Sequence, residues 1–571
     1  MSQRIFLEVV FVACALSFAS AAKPNVMFVH SGGLETPDAN SAPSWANAYK
    51  YLQDALEDAN SSRPVEIRVA YGVYVPDRSA ADPNGSGNHR ATFRLISGVT
   101  LKGGYAGPEM PDPNERCVEV FTTILSGDLE GNDSSVADPC DWANDPNRRD
   151  NSFHVIHCST ADDSAVIDGF TVTGGNANGS WFDGLSRGAG LYNGPNSGPT
   201  VKNCTFVDNW AIGACAEGAG MYNDTNSSPT VERCTFSANR VFGATARGGA
   251  ICNGPYSNPD ITNCIFSKNA ADGATPRGAG MYNDAASAPN LVNCTFSDNR
   301  VDGASAEGGA VYNDSNSAPI VKNCIFWGDT PDEISPKGEP ADVNYCDIQG
   351  GWSQGNGDNL SADPCFADAG AADYHLKSRY GRWDTYAYIG CRKVDLNSDG
   401  AVNLRDFSGF AGLWGRKGRG LPADLDTDGD VDACDVKMFS ENYLDVNDSG
   451  HLWVCDVTDP NEDSTSLCID AGDPDSREWR QELWPHGQRI NIGAYGGTPE
   501  ASMSSSNGSS IFDLADPNNI INFTDFAVLA KNWHHRGPST SDITRDGIVN
   551  YQDVMTLFDG DPNALWLGSP E

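Results

Sequence analysis

Five cysteines, Cys204, Cys234, Cys264, Cys294 and Cys324, recur at one strict and equal interval, each inside an Asn/Arg-Cys-Thr/Ile-Phe tetrapeptide. With them recurs a small-residue segment, Gly-Ala-Gly-Leu-Tyr-Asn at Gly188 to Asn193, and its equivalents from Gly218, Gly248, Gly278 and Gly308. A period of about 20 to 50 residues identifies a stacked array, in which no unit buries its apolar face alone and each relies on its neighbours.

The pattern inside one unit selects the array. Around Asn203 the apolar positions are Val201, Cys204 and Phe206, and the first recurs as Val231, Ile261, Leu291 and Val321. A polar residue between Cys204 and Phe206 gives the alternation of a strand. The break at Asn203 puts a residue that tolerates left-handed backbone where the chain must turn. Two short strands therefore meet at a corner, the Gly-Ala-Gly-Leu-Tyr-Asn segment supplies a third, and a loop from Asn209 to Glu217 closes the circuit. Three short strands per turn, without a helical period or regular leucines, predict an all-β, right-handed parallel β-helix. Stacking at about 4.8 Å sets Phe206, Phe236, Phe266, Phe296 and Phe326 in one internal ladder and the five cysteines in another, where thiols act as small apolar groups. Tyr192, Tyr222, Tyr282 and Tyr312, interrupted by Cys252, alternate to the other side of their strand and are expected to pack on the sheet surface.

The Gly-Gly-Ala-Ile-like segments and the Phe-x-x-Asn motifs at Phe206 to Asn209, Phe236 to Asn239, Phe266 to Asn269 and Phe296 to Asn299 resemble the polymorphic outer-membrane protein repeat. The resemblance spans residues 188–326 and implies the fold. Such repeats occur in adhesins and surface proteins as well as in pectate-lyase-like proteins, so no single chemistry follows. Upstream, Ser44 to Ala59 has apolar residues at helical spacing with Ser44 at the N-cap position. This helix is expected to cover the open end of the solenoid ahead of a first strand at Val65 to Ala70. Downstream, Asp342 to Ile348, Tyr374 to Lys377, Cys468 to Pro474 and Arg489 to Pro499 resemble the closing segments of exported bacterial β-helix proteins. On this reading the solenoid occupies 22–392 and closes at 447–500, with an insertion at 393–446 between.

Residues 1–21 read as an export signal: Arg4, an apolar run from Ile5 to Phe18 interrupted by Glu8, then Ala19, Ser20 and Ala21. Cys14 leaves lipid anchoring open as an alternative. No later stretch reaches the roughly 18 apolar residues that span a bilayer, so a secreted or cell-surface location is expected. The net charge of −39 repels nucleic-acid phosphates and anionic lipid. Export permits disulfides, with the pairing open among Cys117, Cys140, Cys346, Cys365, Cys391, Cys455 and Cys468.

The strongest chemical signal lies in the insertion. Asp395, Asn397, Asp399, Asn403 and Asp406 place oxygen donors at positions 1, 3, 5, 9 and 12 of a loop with Gly400 at position 6 and the Ala401 carbonyl at 7. Alternate side chains then point inward around a hard cation, and glycine permits the sharp turn: this is a Ca²⁺ loop of the EF-hand kind. Asp424, Asp426, Asp428, Asp430, Asp432 and Asp435 repeat the scheme downstream. Each loop precedes apolar residues at helical spacing, Phe407, Phe410, Leu413 and Trp414, then Val436, Phe439 and Tyr443. A duplicated loop and helix with Asp in last place resembles the dockerin module, which implies two Ca²⁺ sites and docking to a cohesin-like partner. Leu404-Arg405 and Ala433-Cys434 depart from the hydroxyl pairs that cohesin-binding dockerins carry. A degenerate second module is expected over 501–571. Its better loop is Asp542, Thr544, Asp546, Ile548, Asn550 and Asp553, and a loop one residue too long offers Asp516, Asn518, Asn522 and Asp525.

A catalytic constellation is harder to find. The Gly-His-Gly and Arg-x-Lys tripeptides of polygalacturonases are missing, as are the Trp-x-Asp-His and Arg-x-Pro-x-x-Arg motifs of pectate lyases. Asp162, Asp163, Asp168, Asp183 and Arg187 could assemble a Ca²⁺-assisted lyase site, and Asp128, Asn132 and Asp133 a further calcium turn, although solvated turns account for both. Three functions stand: an exported scaffold that binds carbohydrate or protein and serves polysaccharide utilisation, a diverged polysaccharide lyase or glycoside hydrolase acting on acidic polysaccharide, and a structural surface protein whose modules dock a partner.

Overall fold

The computed structural model describes residues 25–38, 41–61, 63–110, 112–133, 145–336, 341–352, 358–378, 382–383, 453–454, 465–482, 489–498 and 500–504. The segment read as an export signal, Cys140, Cys391, Cys455 and residues 393–446 and 505–571 of the dockerin-like segments, with every residue of their four calcium loops, lie outside the described residues.

In the turn of chain beginning at Thr200, the strand Thr200–Lys202 lies on the first face, Thr205–Val207 on the second and Met221–Asn223 on the third. Asn203 makes the first corner at φ 48°. Val201, Cys204, Phe206 and Met221 point inward and are fully buried. Each strand pairs in parallel with its equivalent in the next repeat, so Phe206, Phe236, Phe266, Phe296 and Phe326 are consecutive partners. Their rings stack at 4.4 to 5.2 Å between centroids. The result is three parallel sheets of ten, nine and eight strands around one apolar core.

Four features differ from the sequence reading. The supposed loop from Asn209 to Glu217 contains strands at Trp210–Ile212 and Cys215–Glu217, which pair across turns in sheets of five and two strands. They enclose a second, thinner core built almost entirely of alanine, because facing backbones leave room for little else. Gly220 illustrates the fit: a Cβ there would lie 2.7 Å from the Ala250 carbonyl oxygen and 3.1 Å from the Phe236 ring. Second, the first strand is Asn25–Leu34, which pairs with Val65–Ala70. Third, the α-helix runs only from Leu52 to Ala59; Ser44 precedes a 3₁₀ turn at Trp45–Asn47 and its side chain makes no capping bond. Leu52, Ala55, Leu56 and Ala59 nevertheless join the solenoid core from its N-terminal side. Fourth, Asp342 to Ile348 is a further rung, pairing with the rung before it on two faces.

Polar ladders run beside the apolar ones. Asn209, Asn239, Asn269 and Asn299 are fully buried, and each Nδ2 donates to the side-chain oxygen of the next rung at 2.7 to 3.1 Å, ending on Asp329. Asn193, Asn223, Asn253, Asn283 and Asn313 form a second such ladder. The cysteine ladder gains a sixth member, Cys346, whose Sγ accepts from the Cys324 N–H. All twelve described cysteines are free thiols. Tyr222, Tyr282 and Tyr312 are buried beneath the guanidinium groups of Arg187, Arg247 and Arg277.

Burial lowers the His154 pKa to about 4, so the ring is neutral and bonds the Gly188 carbonyl. No helix among the described residues is long and apolar enough to cross a membrane.

Two substitutions test this account with opposite signs. Phe266→Ala removes the middle of the ring stack and is expected to cost about 3–5 kcal/mol. Ala238, held at φ 54°, bears a left-handed penalty that glycine lacks, so Ala238→Gly is expected to stabilise by up to about 1 kcal/mol. Denaturant titration followed by circular dichroism measures both.

Candidate binding groove

On the second face one outward row runs through Ile124, Thr171, Thr205, Thr235, Ile265, Thr295 and Ile325. The far end of this row is covered. Ile325 packs with Leu376, Cys468 and Ile492, and the Thr295 hydroxyl accepts from the Ala494 N–H at 3.0 Å. The cover is held at the corner between the first two faces, where the left-handed Asn residues supply side chains. Asn263 Nδ2 donates to the Ala494 and Gly496 carbonyls at 2.8 and 2.9 Å, and Asn293 Nδ2 donates to Gly496 at 3.0 Å. Asn323 Oδ1 accepts from the Asp473 N–H at 2.7 Å. The segments at 366–376, 468–473 and 489–498 thus lie along the flank, clasped by a row of asparagines.

Where this cover stops, the face opens into a groove of about 810 Å³. Its floor is Thr171, Thr205 and Thr235 of the outward row, and Val118, Glu119, His375, Tyr495, Thr498 and Glu500 also line it. Arg233 stands at the edge. It is the one residue in the corner row Asn203, Arg233, Asn263, Asn293 and Asn323 that is not asparagine, and its side chain is 59% exposed, 3.1 Å from Glu232.

The covered end concentrates titratable groups. Asp373 Oδ1 accepts from His375 Nδ1 at 2.5 Å and Asp373 Oδ2 from Arg382 Nη2 at 2.9 Å. Burial opposes ionisation of Asp373, but these bonds hold its carboxyl below the usual range. The His375 ring stacks on Tyr495 at 3.6 Å. Burial pushes the Glu500 carboxyl up, and nearby Glu119 adds to it while His375 and Arg233 pull it back. Glu482 lies behind, its Oε1 accepting from the Asn491 and Gly497 N–H groups, and burial pushes it up to about 8.

The sequence candidates for a lyase site are not brought together. Asp168 is taken by Arg116 and Asn203, Asp183 lies nearest Arg90, Arg187 pairs with Glu217, and Asp162 accepts from Ser164. Asp128 spends both oxygens on its own loop, accepting from the N–H groups of Gly131, Asn132 and Asp133, so this turn is closed by hydrogen bonds. Arg233 was visible in the sequence as a break in the asparagine row. His375 and Glu500 were not, because they belong to non-repeating segments brought to the face only by tertiary packing.

Residues 144–331 match the family model of the right-handed β-helix region. Among solved structures, the chain is similar to a pectin methylesterase variant in complex with a hexasaccharide, at 13% identity and a TM-score of 0.28 over 62% of this chain and 96% of that one. It is also similar to the pectin methylesterase PemA from Erwinia chrysanthemi, at 13% identity and a TM-score of 0.24 over 56% and 82%. No curated protein matches the chain.

Glu482 makes the flank cover pH-dependent. A carboxyl whose pKa rises from 4.5 to about 8 on folding binds more protons in the native state. Its contribution is complete below about 4.5 and is lost as pH rises through about 8. Glu482→Gln keeps the acceptor oxygen and removes the charge. Thermal melts from pH 5 to 9 are expected to fall less steeply for the variant than for the wild type.

Proposed function

We propose that this is an exported β-helix protein that binds a neutral polysaccharide chain along the groove of the second face. The observation that carries the reading is the floor of threonine hydroxyls on adjacent rungs, Thr171, Thr205 and Thr235, with Arg233 at the edge. Rungs spaced about 4.8 Å apart present hydroxyls at an interval close to that of successive rings in an extended glycan. Tyr495 offers part of a ring to the groove. Neutrality follows from charge: one arginine sharing the groove with Glu119 and Glu500, on a chain of net charge −39, does not favour a polyanion. Titration calorimetry with soluble neutral glycans and with polygalacturonate or alginate tests this. A neutral chain is expected to bind, and Arg233→Ala combined with Thr205→Val to weaken it about tenfold, or about 1.4 kcal/mol. Preference for the polyanion, or an unchanged affinity in the variant, defeats the reading.

Catalysis at the covered end is a second reading, favoured by Glu500, whose carboxyl is pushed up by burial beside His375. A raised carboxyl next to a bound chain is suited to general-acid cleavage. Release of reducing ends by the wild type that is abolished in Glu500→Gln, with binding retained, distinguishes it from binding alone.

The dockerin-like segments complete the proposal. The spacing of oxygen donors at Asp395 to Asp406 and Asp424 to Asp435 supports two Ca²⁺ sites, and Asp542 to Asp553 a third. These modules would attach the solenoid to a surface partner. Asp395→Ala with Asp424→Ala is expected to remove two equivalents of bound Ca²⁺ from the full chain, read by equilibrium dialysis, and to leave glycan affinity unchanged.

A further inference from the structure

The internal asparagine ladder changes chemistry at its last rung. On successive rungs Asn Nδ2 faces two acceptors, the next side-chain oxygen and a main-chain carbonyl of the preceding repeat: Asn239 bonds the Phe206 carbonyl at 2.8 Å, Asn269 that of Phe236 at 2.9 Å, and Asn299 that of Phe266 at 2.9 Å. At the fifth rung the residue is Asp329. Its Oδ1 takes the ladder bond from Asn299 Nδ2 at 2.7 Å. Its Oδ2 therefore occupies the place of the amide nitrogen, toward the carbonyl of Phe296 that the register puts there. An oxygen has replaced a donor in front of an acceptor.

A second carboxyl joins it. Glu333 Oε1 accepts from the Asp329 N–H at 3.3 Å. Asp329 and Glu333 are only 5% and 8% exposed, their carboxyls face one another, and among the described residues no donor reaches Asp329 Oδ2 or Glu333 Oε2. Among the described residues no Lys, Arg or His makes an ion pair with either. A cavity of about 430 Å³ borders the pair and is lined also by Asp332, Gln349 and Trp352. Gln349 Oε1 is engaged by the Gly328 N–H and Asp332 Oδ1 by the Gly308 N–H.

Two buried carboxyls need a proton or a cation between them. One shared proton leaves a buried negative charge uncompensated, whereas a divalent ion neutralises both and uses the facing carbonyl as well. We propose that Asp329 Oδ2, Glu333 Oε2 and the Phe296 carbonyl hold a Ca²⁺ ion at the C-terminal end of the asparagine ladder, with waters from the adjacent cavity completing its shell. All three donors are hard oxygens, as this ion requires. The site uses no residue of the loops at 395–435 or of the groove.

The test is metal stoichiometry of the full chain. Asp329→Asn restores the residue of the four preceding rungs, so the fold is expected to survive, which circular dichroism checks. Wild type is expected to bind one more equivalent of Ca²⁺ by equilibrium dialysis than Asp329→Asn, and one more than Glu333→Gln. With Tb³⁺ as probe, luminescence excited through tryptophan is expected to drop in Trp352→Phe while the stoichiometry stays that of wild type. Equal numbers of bound ions in wild type and in both carboxyl variants overturn the proposal. So does a wild-type melting temperature that falls with rising pH, relative to Asp329→Asn, equally with and without Ca²⁺, since that is the signature of a shared proton.

Discussion

The described solenoid depends on exact-register stacking of parallel strands from successive repeats. Phenylalanine rings alone would tolerate some sliding, since apolar packing has little direction. The asparagine ladders do not. A primary amide carries a donor and an acceptor on one rigid group, so identical asparagines in adjacent rungs satisfy one another only when they stand in line. Slipping one strand by a residue would turn the amide outward and the core inside out. The apolar ladders supply most of the driving force for burial, and the buried amides, costly when unpaired, fix the register.

Regular stacking produces a smooth prism, and a smooth prism has no site. The groove on the second face comes from what breaks the repeat. The flank cover takes the rungs at Thr295 and Ile325 and leaves those at Thr171, Thr205 and Thr235 open. The corner asparagines that make the solenoid turn also clasp that cover, through side chains that the left-handed backbone aims outward. Where the corner residue is Arg233, the clasp is absent and a cation projects instead. Position within the row thus sets whether a rung is covered or left open.

The solenoid was legible because its signals are local and repeated: Val201, Asn203, Cys204 and Phe206 state a corner between two strands, and five copies remove ambiguity. The strands at Trp210–Ile212 and Cys215–Glu217 were missed because glycine and alanine carry no period that separates a flat, tightly packed lobe from a loop. The opening strand Asn25–Leu34 was missed since it follows directly on the apolar stretch read as an export signal and has no counterpart in the repeat. The early helix was misplaced at its start because Tyr51, not Ser44, precedes it; tertiary contact of Leu52 and Leu56 with the core outweighs the capping preference of serine. Arg233 could be seen as an exception to a rule. His375, Tyr495 and Glu500 could not, since their proximity to the groove arises from contacts between segments far apart in the sequence, as between Asn263 and Gly496.

Amide ladders also have a direction, and the two here resolve it differently. Each Nδ2 donates toward the C-terminal rung, so the last residue must receive a bond and has no successor to give one to. The ladder from Asn209 ends on an aspartate, an acceptor only. That from Asn193 ends on Asn313, whose buried Nδ2 is without a partner among the described residues. An orphaned buried donor costs about 1–3 kcal/mol, and it falls at the same end where the first ladder has exchanged its amide for a carboxyl. A β-helix built from self-complementary rungs is therefore uniform only in its middle. Its C-terminal end, where polar valence is left over, is the place where composition has to change, and there this chain replaces asparagine with a pair of acids.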